Sequence, residues 1–499
     1  MASKPQLKDT SLLIGLNLIE DKKGGNNNED NQSNVPEKFT DPSTGSLIGS
    51  CPESTVQDAQ RAISAAAKAL PAWRSQPARH RSRIMRRWYD LIIENASDIA
   101  TILSWENGKA QTDAKAEVIS AASFVEWFSE EAVRIYGDII PHSIPSLRVA
   151  VFKQPVGVCG LITPWNFPAG MVTRKLAPAL AAGCTAVLKT AGETPFTANA
   201  LVYLAEQAGI PRGVINIVSA MDNTPEIGQA LCASDTIRKI SFTGSTRVGR
   251  ILMKQCSDSI KKMSLELGGN APLIVFEDAN LDLAVAGTIM AKFKGTGQTC
   301  VCSNRIYVHS DIHDEFVRRL TAAVKAFTVG PGLDPSTTHG PLISPAAVDR
   351  VAQLVDDAVS RGADIVIGGK RIPTLGANFF QPTILVKVSD DFPICQTEIF
   401  GPVAPILRFT SEDEVITSAN TAEVGLASYL FTRNLHRAAR MTEKLQFGMV
   451  SLNTPAIPDA ASPFGGIKQS GLGREGSKYG IEDYLELKTV VSGGHDVPS

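Results

Sequence analysis

The sequence predicts an α/β protein of two lobes, and three observations carry that expectation. First, short apolar runs alternate with helical stretches from about Val156. Val156–Ile162, Thr185–Lys189, Val214–Val218 and Lys239–Phe242 read as buried strands, separated by helical patterns over roughly 170–182, 196–208 and 246–258. Second, a later series has the same texture: Leu273–Phe276, Arg305–Val308, Asp364–Gly368, Ala404–Phe409 and Met449–Asn453. Strands that alternate with helices build a mostly parallel sheet covered on both faces. Third, extended segments lie near Leu147–Lys153 and Tyr484–Val491. A lone exposed strand is a pairing hazard unless another subunit covers it, which points to a small β arm for oligomerisation.

The remaining elements follow in order. Residues 22–34, KKGGNNNEDNQSN, offer almost nothing apolar to bury and predict a mobile surface loop. After Cys51 a helix is expected: Ser54 and Gln57 have capping-box spacing, and Val56, Ala59, Ile63, Ala67 and Leu70 recur near the helical period. Another helical pattern runs from about Ile84 to Leu103.

Composition narrows the function. The 499 residues are 43% hydrophobic and 20% charged with a formal net charge of −2, which gives no reason to expect nucleic acid or an anionic membrane as partner. Length alone implies ~3 domains or lobes. Eight cysteines, most of them singly in apolar surroundings, fit a reducing compartment and not a disulfide scaffold. The histidines are scattered and there is no Cys-x-x-Cys pair, so no metal site is expected. MASKPQLKDT lacks the pattern of a signal or transit peptide, no apolar run reaches membrane-spanning length, and DVPS is not a peroxisomal address; the expected location is cytoplasmic.

Four segments carry chemistry. In Gly297-Gln298-Thr299-Cys300-Val301-Cys302, a cysteine beside Gly and Thr could be a nucleophile at a turn, although a lone cysteine is more often a buried thiol. In Leu265-Glu266-Leu267-Gly268-Gly269-Asn270, a carboxylate between leucines would have a raised pKa, which suits a general base near neutrality; the alternative is a Glu at a fraying strand end. In Thr163-Pro164-Trp165-Asn166-Phe167-Pro168, Asn166 is the single side-chain amide and could polarise a carbonyl oxygen. In Phe242-Thr243-Gly244-Ser245-Thr246, a strand ends and a helix begins, a geometry that favours phosphate, though without the Gly-x-Gly-x-x-Gly pattern.

Together these segments resemble the aldehyde dehydrogenase superfamily. The likeness covers nearly all of the chain after about residue 38 and extends to Glu398-Ile399-Phe400-Gly401-Pro402 and Pro463-Phe464-Gly465-Gly466. It implies two Rossmann-like lobes and an arm: 1–140 with 160–271 for NAD(P), 272–470 for catalysis, and 141–159 with 482–499 for a homodimer or homotetramer. It implies Cys300 as nucleophile, Glu266 as base, and Asn166 with the Cys300 N–H as oxyanion hole. Glu475 matches a proton-relay position. Trp165, Lys189, Glu398 and Phe400 match cofactor contacts, and Gly244 and Ser245 the pyrophosphate turn. A thiolate adds to the aldehyde, hydride leaves, and Glu266-activated water hydrolyses the thioester to a free acid. A catalytically silent structural member and a cofactor-free thiol esterase are the competing readings.

Within the superfamily the chain is similar to succinate-semialdehyde dehydrogenases, through Gly471–Ile481, Arg174 and the pair Cys300/Cys302. Arg174 would then grip a distal carboxylate. Two positions depart from that pattern. Lys294 replaces a second arginine, and the serine position falls at Pro458 or Asp459, where an acid would repel a carboxylate. An uncharged or aromatic aldehyde is therefore an alternative substrate. Gly192 stands where NAD-preferring relatives carry a Glu, so NADP is favoured slightly over NAD. Cys302 could form a reversible disulfide with Cys300, or could only pack.

Overall fold

A computed structural model describes residues 7, 8, 12, 36–457 and 459–494. The loop expected at 22–34, Pro458 and the terminal DVPS lie outside the described residues.

Two large sheets form the framework. The first runs in the order Gly471–Leu472, Lys262–Glu266, Ile237–Thr243, Val158–Ile162, Thr185–Thr190, Ile215–Ser219. Its five longer strands pair in parallel, and Gly471–Leu472 closes one edge antiparallel. The second runs Asp364–Ile367, Thr383–Val386, Val403–Phe409, Ser303–His309, Ala271–Val275, Ala427–Phe431, Met449–Leu452. Its central strands are parallel because the chain returns through a helix between them. Asp364–Ile367 departs from that pattern: it is an antiparallel edge strand, largely exposed.

The helices before and within the first sheet are α1 (Val56–Arg74), α2 (Ala78–Glu94), α3 (Ala96–Asn107), α4 (Gln111–Glu131), α5 (Gly170–Ala182), α6 (Pro195–Gln207), α7 (Thr224–Ala233) and α8 (Thr246–Gln255). Two expectations are corrected here. The capping box of α1 starts at Thr55: its hydroxyl accepts the Asp58 N–H, and Asp58 accepts the Thr55 N–H. Ser54 is occupied elsewhere, accepting the Ser219 N–H. The pattern from Ile84 to Leu103 is two helices, because Asn95 leaves helical geometry and turns its side chain back onto the Leu91 carbonyl.

The segments near Leu147–Lys153 and Tyr484–Val491 are not lone strands. Arg148–Pro155 pairs antiparallel with Leu485–Ser492 on one side and Asp138–Pro141 on the other. This small sheet still exposes Ile139, Phe152, Leu487 and Val491. Among the described residues no helix is long and apolar enough to cross a membrane.

The feature that positions the site is α5. It is buried on nearly every side, so Arg174 and Lys175 on it are buried too. Burying a guanidinium and an ammonium is costly unless opposite charges meet them, so α5 announces a charged centre at its N-terminal half.

Candidate active site

Glu266 ends its strand and is 3% exposed. The edge strand beside it is in register Gly471↔Glu266. Gly471 has φ +130°, and a Cβ there would lie 1.8 Å from the Leu265 carbonyl oxygen, so only glycine lets this strand approach. After Glu266 the chain turns through Gly268 and Gly269. A Cβ on Gly269 would sit 2.3 Å from the Cys300 carbonyl oxygen. The two motifs therefore meet backbone to backbone.

Cys300 follows a tight turn in which Gly295, Thr296 and Gly297 all have positive φ. Thr296 is β-branched in the left-handed region, which is strained, and its hydroxyl is tied to the Gly340 carbonyl at 3.1 Å. The turn is closed by Cys302 N–H to Thr299 O at 3.0 Å and by the Tyr429 hydroxyl donating to Val301 O at 2.8 Å. This leaves Cys300 half-buried, whereas Cys302 is 2% exposed and donates to the Lys292 carbonyl at 3.2 Å. Asn166, 4% exposed, reaches across from the turn before α5, and its amide donates to Gln298 O at 3.0 Å.

The charges of α5 find their partners here. Arg174 Nε donates to Glu475 at 2.6 Å, and its Nη2 donates to Glu266 at 3.2 Å. Its guanidinium lies 4.1 Å from the centre of the Phe464 ring. Lys175 contacts the other Glu475 oxygen and Ser241 Oγ. Glu266 Oε1 is buried without a well-formed hydrogen bond, and the Cys300 thiol is the neighbour of this carboxylate, a geometry that suits a water or a transferring proton.

Burial raises the Glu266 pKa, against the pull of Arg174, so it is a better base than a free carboxylate. Burial also opposes the charge on Glu475, but Lys175 and Arg174 outweigh it and hold its pKa low. Burial pushes the Cys300 thiol well above its ordinary range, the Glu266 charge adds to this, and Arg174 opposes it. The resting cysteine is therefore a neutral thiol. Alkylation of Cys300 by iodoacetamide in the free protein should keep accelerating past pH 9. A plateau in the neutral range, read by mass spectrometry of the Cys300 peptide, would contradict this reading.

The other expected residues lie on or just past strands of the first sheet, at the start of α8 and on the segment around Glu398. Ser245 caps α8 and accepts the Val248 N–H, with Gly244 donating to Glu266 O at 3.1 Å. Lys189 is 4% exposed and its ammonium donates to Ala220 O at 2.9 Å. A Cβ on Gly192 would lie 2.9 Å from Ala220 O and from Met221 Cα. Glu398 accepts the Gly269 N–H at 3.1 Å, and burial pushes its pKa up to about 7. The Phe400 ring meets Trp165 edge-on at 5.6 Å. A helix N-terminus, a buried ammonium and a half-buried carboxylate form a set that fits a pyridine dinucleotide.

Lys294 is exposed, and Asp459 is exposed with its carboxylate accepting the Ala461 N–H. Neither joins the buried cluster. Reading the sequence missed Lys175, Tyr429, and a group at the end of α3, in the connection after it and on α4 (Asn107, Lys109, Asp113 and Glu117) that grips the two reactive loops. Single-sequence patterns treat charges on a helix as a solvated face, and nothing local marks these as buried.

The Aldehyde dehydrogenase family matches residues 29–490. A glutarate-semialdehyde dehydrogenase of Pseudomonas aeruginosa is 52% identical over 489 residues, 98% of this chain and 100% of that protein. An NADP(+) succinate-semialdehyde dehydrogenase of Escherichia coli is 51% identical over 91% of this chain and 94% of its own length. The crystal structure of an E. coli NADP-dependent enzyme superposes with a TM-score of 0.93 at 49% identity, covering 98% of this chain and 100% of that one. The chain belongs to the aldehyde dehydrogenase family.

Proposed function

We propose that the protein oxidises a short semialdehyde, succinate or glutarate semialdehyde, to the dicarboxylic acid with NADP. The carrying observation is Arg174: a buried guanidinium set directly beside the proposed base, with Nη1 carrying none of its contacts to the glutamates. A cation so placed suits a substrate whose far end is a carboxylate. Two relatives that each match more than 90% of the chain are named for such substrates.

In this reading Cys300 attacks the aldehyde carbon as thiolate. The Asn166 amide and the Cys300 N–H stabilise the oxyanion. The bound dinucleotide supplies the hydride acceptor. Glu266 then takes a proton from the water that hydrolyses the thioester, and Glu475, tied to it through Arg174, holds that cation in place beside the base. Residues 1–140 with 160–271 would hold the dinucleotide and 272–470 the nucleophile; for 160–271 and 272–470 the division is supported by their strands falling mainly in the first and the second large sheet. The exposed apolar residues of the small sheet support its use between subunits.

Gly192 supports NADP over NAD. An acid there would repel a 2′-phosphate, and the position has no room for one. The wall it faces is anchored, because Glu53 accepts the Met221 and Asn223 N–H groups. Gly192→Glu should therefore weaken NADP binding by roughly tenfold or more, as a like-charge clash, without creating an NAD enzyme. Dinucleotide titration by fluorescence checks this, and a gain in NAD affinity would contradict the fixed wall.

The deciding experiment is a matrix of kcat/KM over NAD and NADP against succinate semialdehyde, glutarate semialdehyde and an uncharged aldehyde of equal length. A preference for the uncharged aldehyde would reject the substrate class, and a preference for NAD would reject the cofactor.

A further inference from the structure

An oxyanion donor works only if it is held before the charge develops. The segment that presents Asn166 is not part of a strand or helix, so its rigidity must come from outside. Asn107 at the end of α3, Lys109 just after it and Glu117 on α4 all hydrogen-bond to this segment or to the start of α5. Asn107 donates its amide to Trp165 O at 2.9 Å. Lys109 donates to Asn166 O at 2.7 Å and lies 3.9 Å from the centre of the Phe167 ring. Glu117 pairs with the same ammonium, and its other oxygen accepts the Ala169 and Gly170 N–H groups at 2.9 and 3.3 Å. Lys109 and Glu117 are 6% and 5% exposed, so this is a buried pair whose side-chain hydrogen bonds run to the Asn166 segment, to the start of α5 and to each other.

The same helix reaches the nucleophile. Asp113, one turn before Glu117 on α4, accepts the Gly295 N–H at 3.0 Å in the turn that leads to Cys300. One rigid helix thus fastens both reactive loops.

We propose that Lys109 and Glu117, with Asn107, are positioning residues of the oxyanion hole, and that α4 sets the distance between Asn166 and Cys300. The pair touches no reacting atom and acts through the Asn166 backbone. The proposal rests on the reading of Asn166 as oxyanion donor given above. Buried pairs of this kind add little net stability, because desolvation offsets their attraction, so a role in geometry explains their placement better than a role in folding energy.

The test is a double-mutant cycle read by the pre-steady-state burst of nucleotide reduction with succinate semialdehyde and NADP. Lys109→Met with Glu117→Gln removes both charges together and leaves the glutamine oxygen to accept from Ala169. This paired variant should slow the burst roughly 10- to 100-fold in the protein with Asn166. In an Asn166→Ala background it should slow the burst less than about twofold, because the group it positions is gone. NADP affinity and the iodoacetamide rate at Cys300, which needs no oxyanion hole, should be unchanged. Equal losses in both backgrounds, or no loss with Asn166 present, would overturn the proposal. If Asn166→Ala alone left the burst intact, the oxyanion reading itself would fall, and the positioning proposal with it. Should the paired variant not fold, Asn107→Ala loses one neutral hydrogen bond and carries the same cycle with the same criteria.

Discussion

Glu266→Gln should leave an enzyme that completes one round of hydride transfer and then stalls as the thioester, with kcat lowered by about 10²–10⁴, the usual worth of a positioned general base. Glutamine preserves the shape: its carbonyl oxygen can still accept from Arg174 Nη2, now 3.2 Å from Glu266. The buried cluster then loses one negative charge, which Lys175, already pulled toward neutrality by burial, can offset by releasing a proton. The fold should therefore survive, and the loss should be chemical.

The same substitution should change the nucleophile in the opposite direction. The Glu266 charge is second only to burial in holding the Cys300 thiol protonated. Removing it should make the thiolate easier to form, so iodoacetamide should alkylate Cys300 faster near neutral pH even as turnover collapses. Rapid-quench measurement of acyl-enzyme and a parallel alkylation rate settle the assignment. If alkylation slowed in step with turnover, Glu266 would be the group that deprotonates the thiol, and the hydrolytic role would be the weaker one.

The two-lobe α/β class was legible because buried parallel strands leave an unbroken apolar signal: all five residues of Val158–Ile162 are buried. What was not legible had distant partners. The strand Arg148–Pro155 is covered by Leu485–Ser492, more than 300 residues on, and no local pattern announces that pairing. The split at Asn95 escaped the periodicity because α2 and α3 keep a similar apolar spacing across the break. In the site, Cys300, Glu266 and Asn166 gained meaning only jointly. The grip of Lys109 and Glu117 on the Asn166 segment, about 50 residues away, left no trace in either stretch of sequence. Arg174 was legible as a charge beside a turn, but its partners were not: it meets Glu475 across 301 positions and Glu266 across 92.

Those partners make Arg174 the sharpest test of substrate class. Arg174→Met should lower kcat/KM for every aldehyde, because Cys300 loses the cation that opposes its raised pKa and less thiolate forms near neutral pH. That common loss says nothing about the substrate. The informative quantity is the ratio of kcat/KM for succinate semialdehyde to that for an uncharged aldehyde of equal length. If the guanidinium also binds the distal carboxylate, the ratio should fall by roughly 10²-fold or more, since a buried, hydrogen-bonded charge pair is worth about 2–5 kcal/mol when one partner is removed. Folding is protected on one side, because Glu475 keeps Lys175. Arg174→Lys should recover part of the ratio, as a point charge without the planar fork. A uniform loss with an unchanged ratio would confine Arg174 to organising Glu266 and Glu475. Lys294→Met should move the ratio far less than Arg174→Met, because a solvated ammonium attracts a carboxylate weakly.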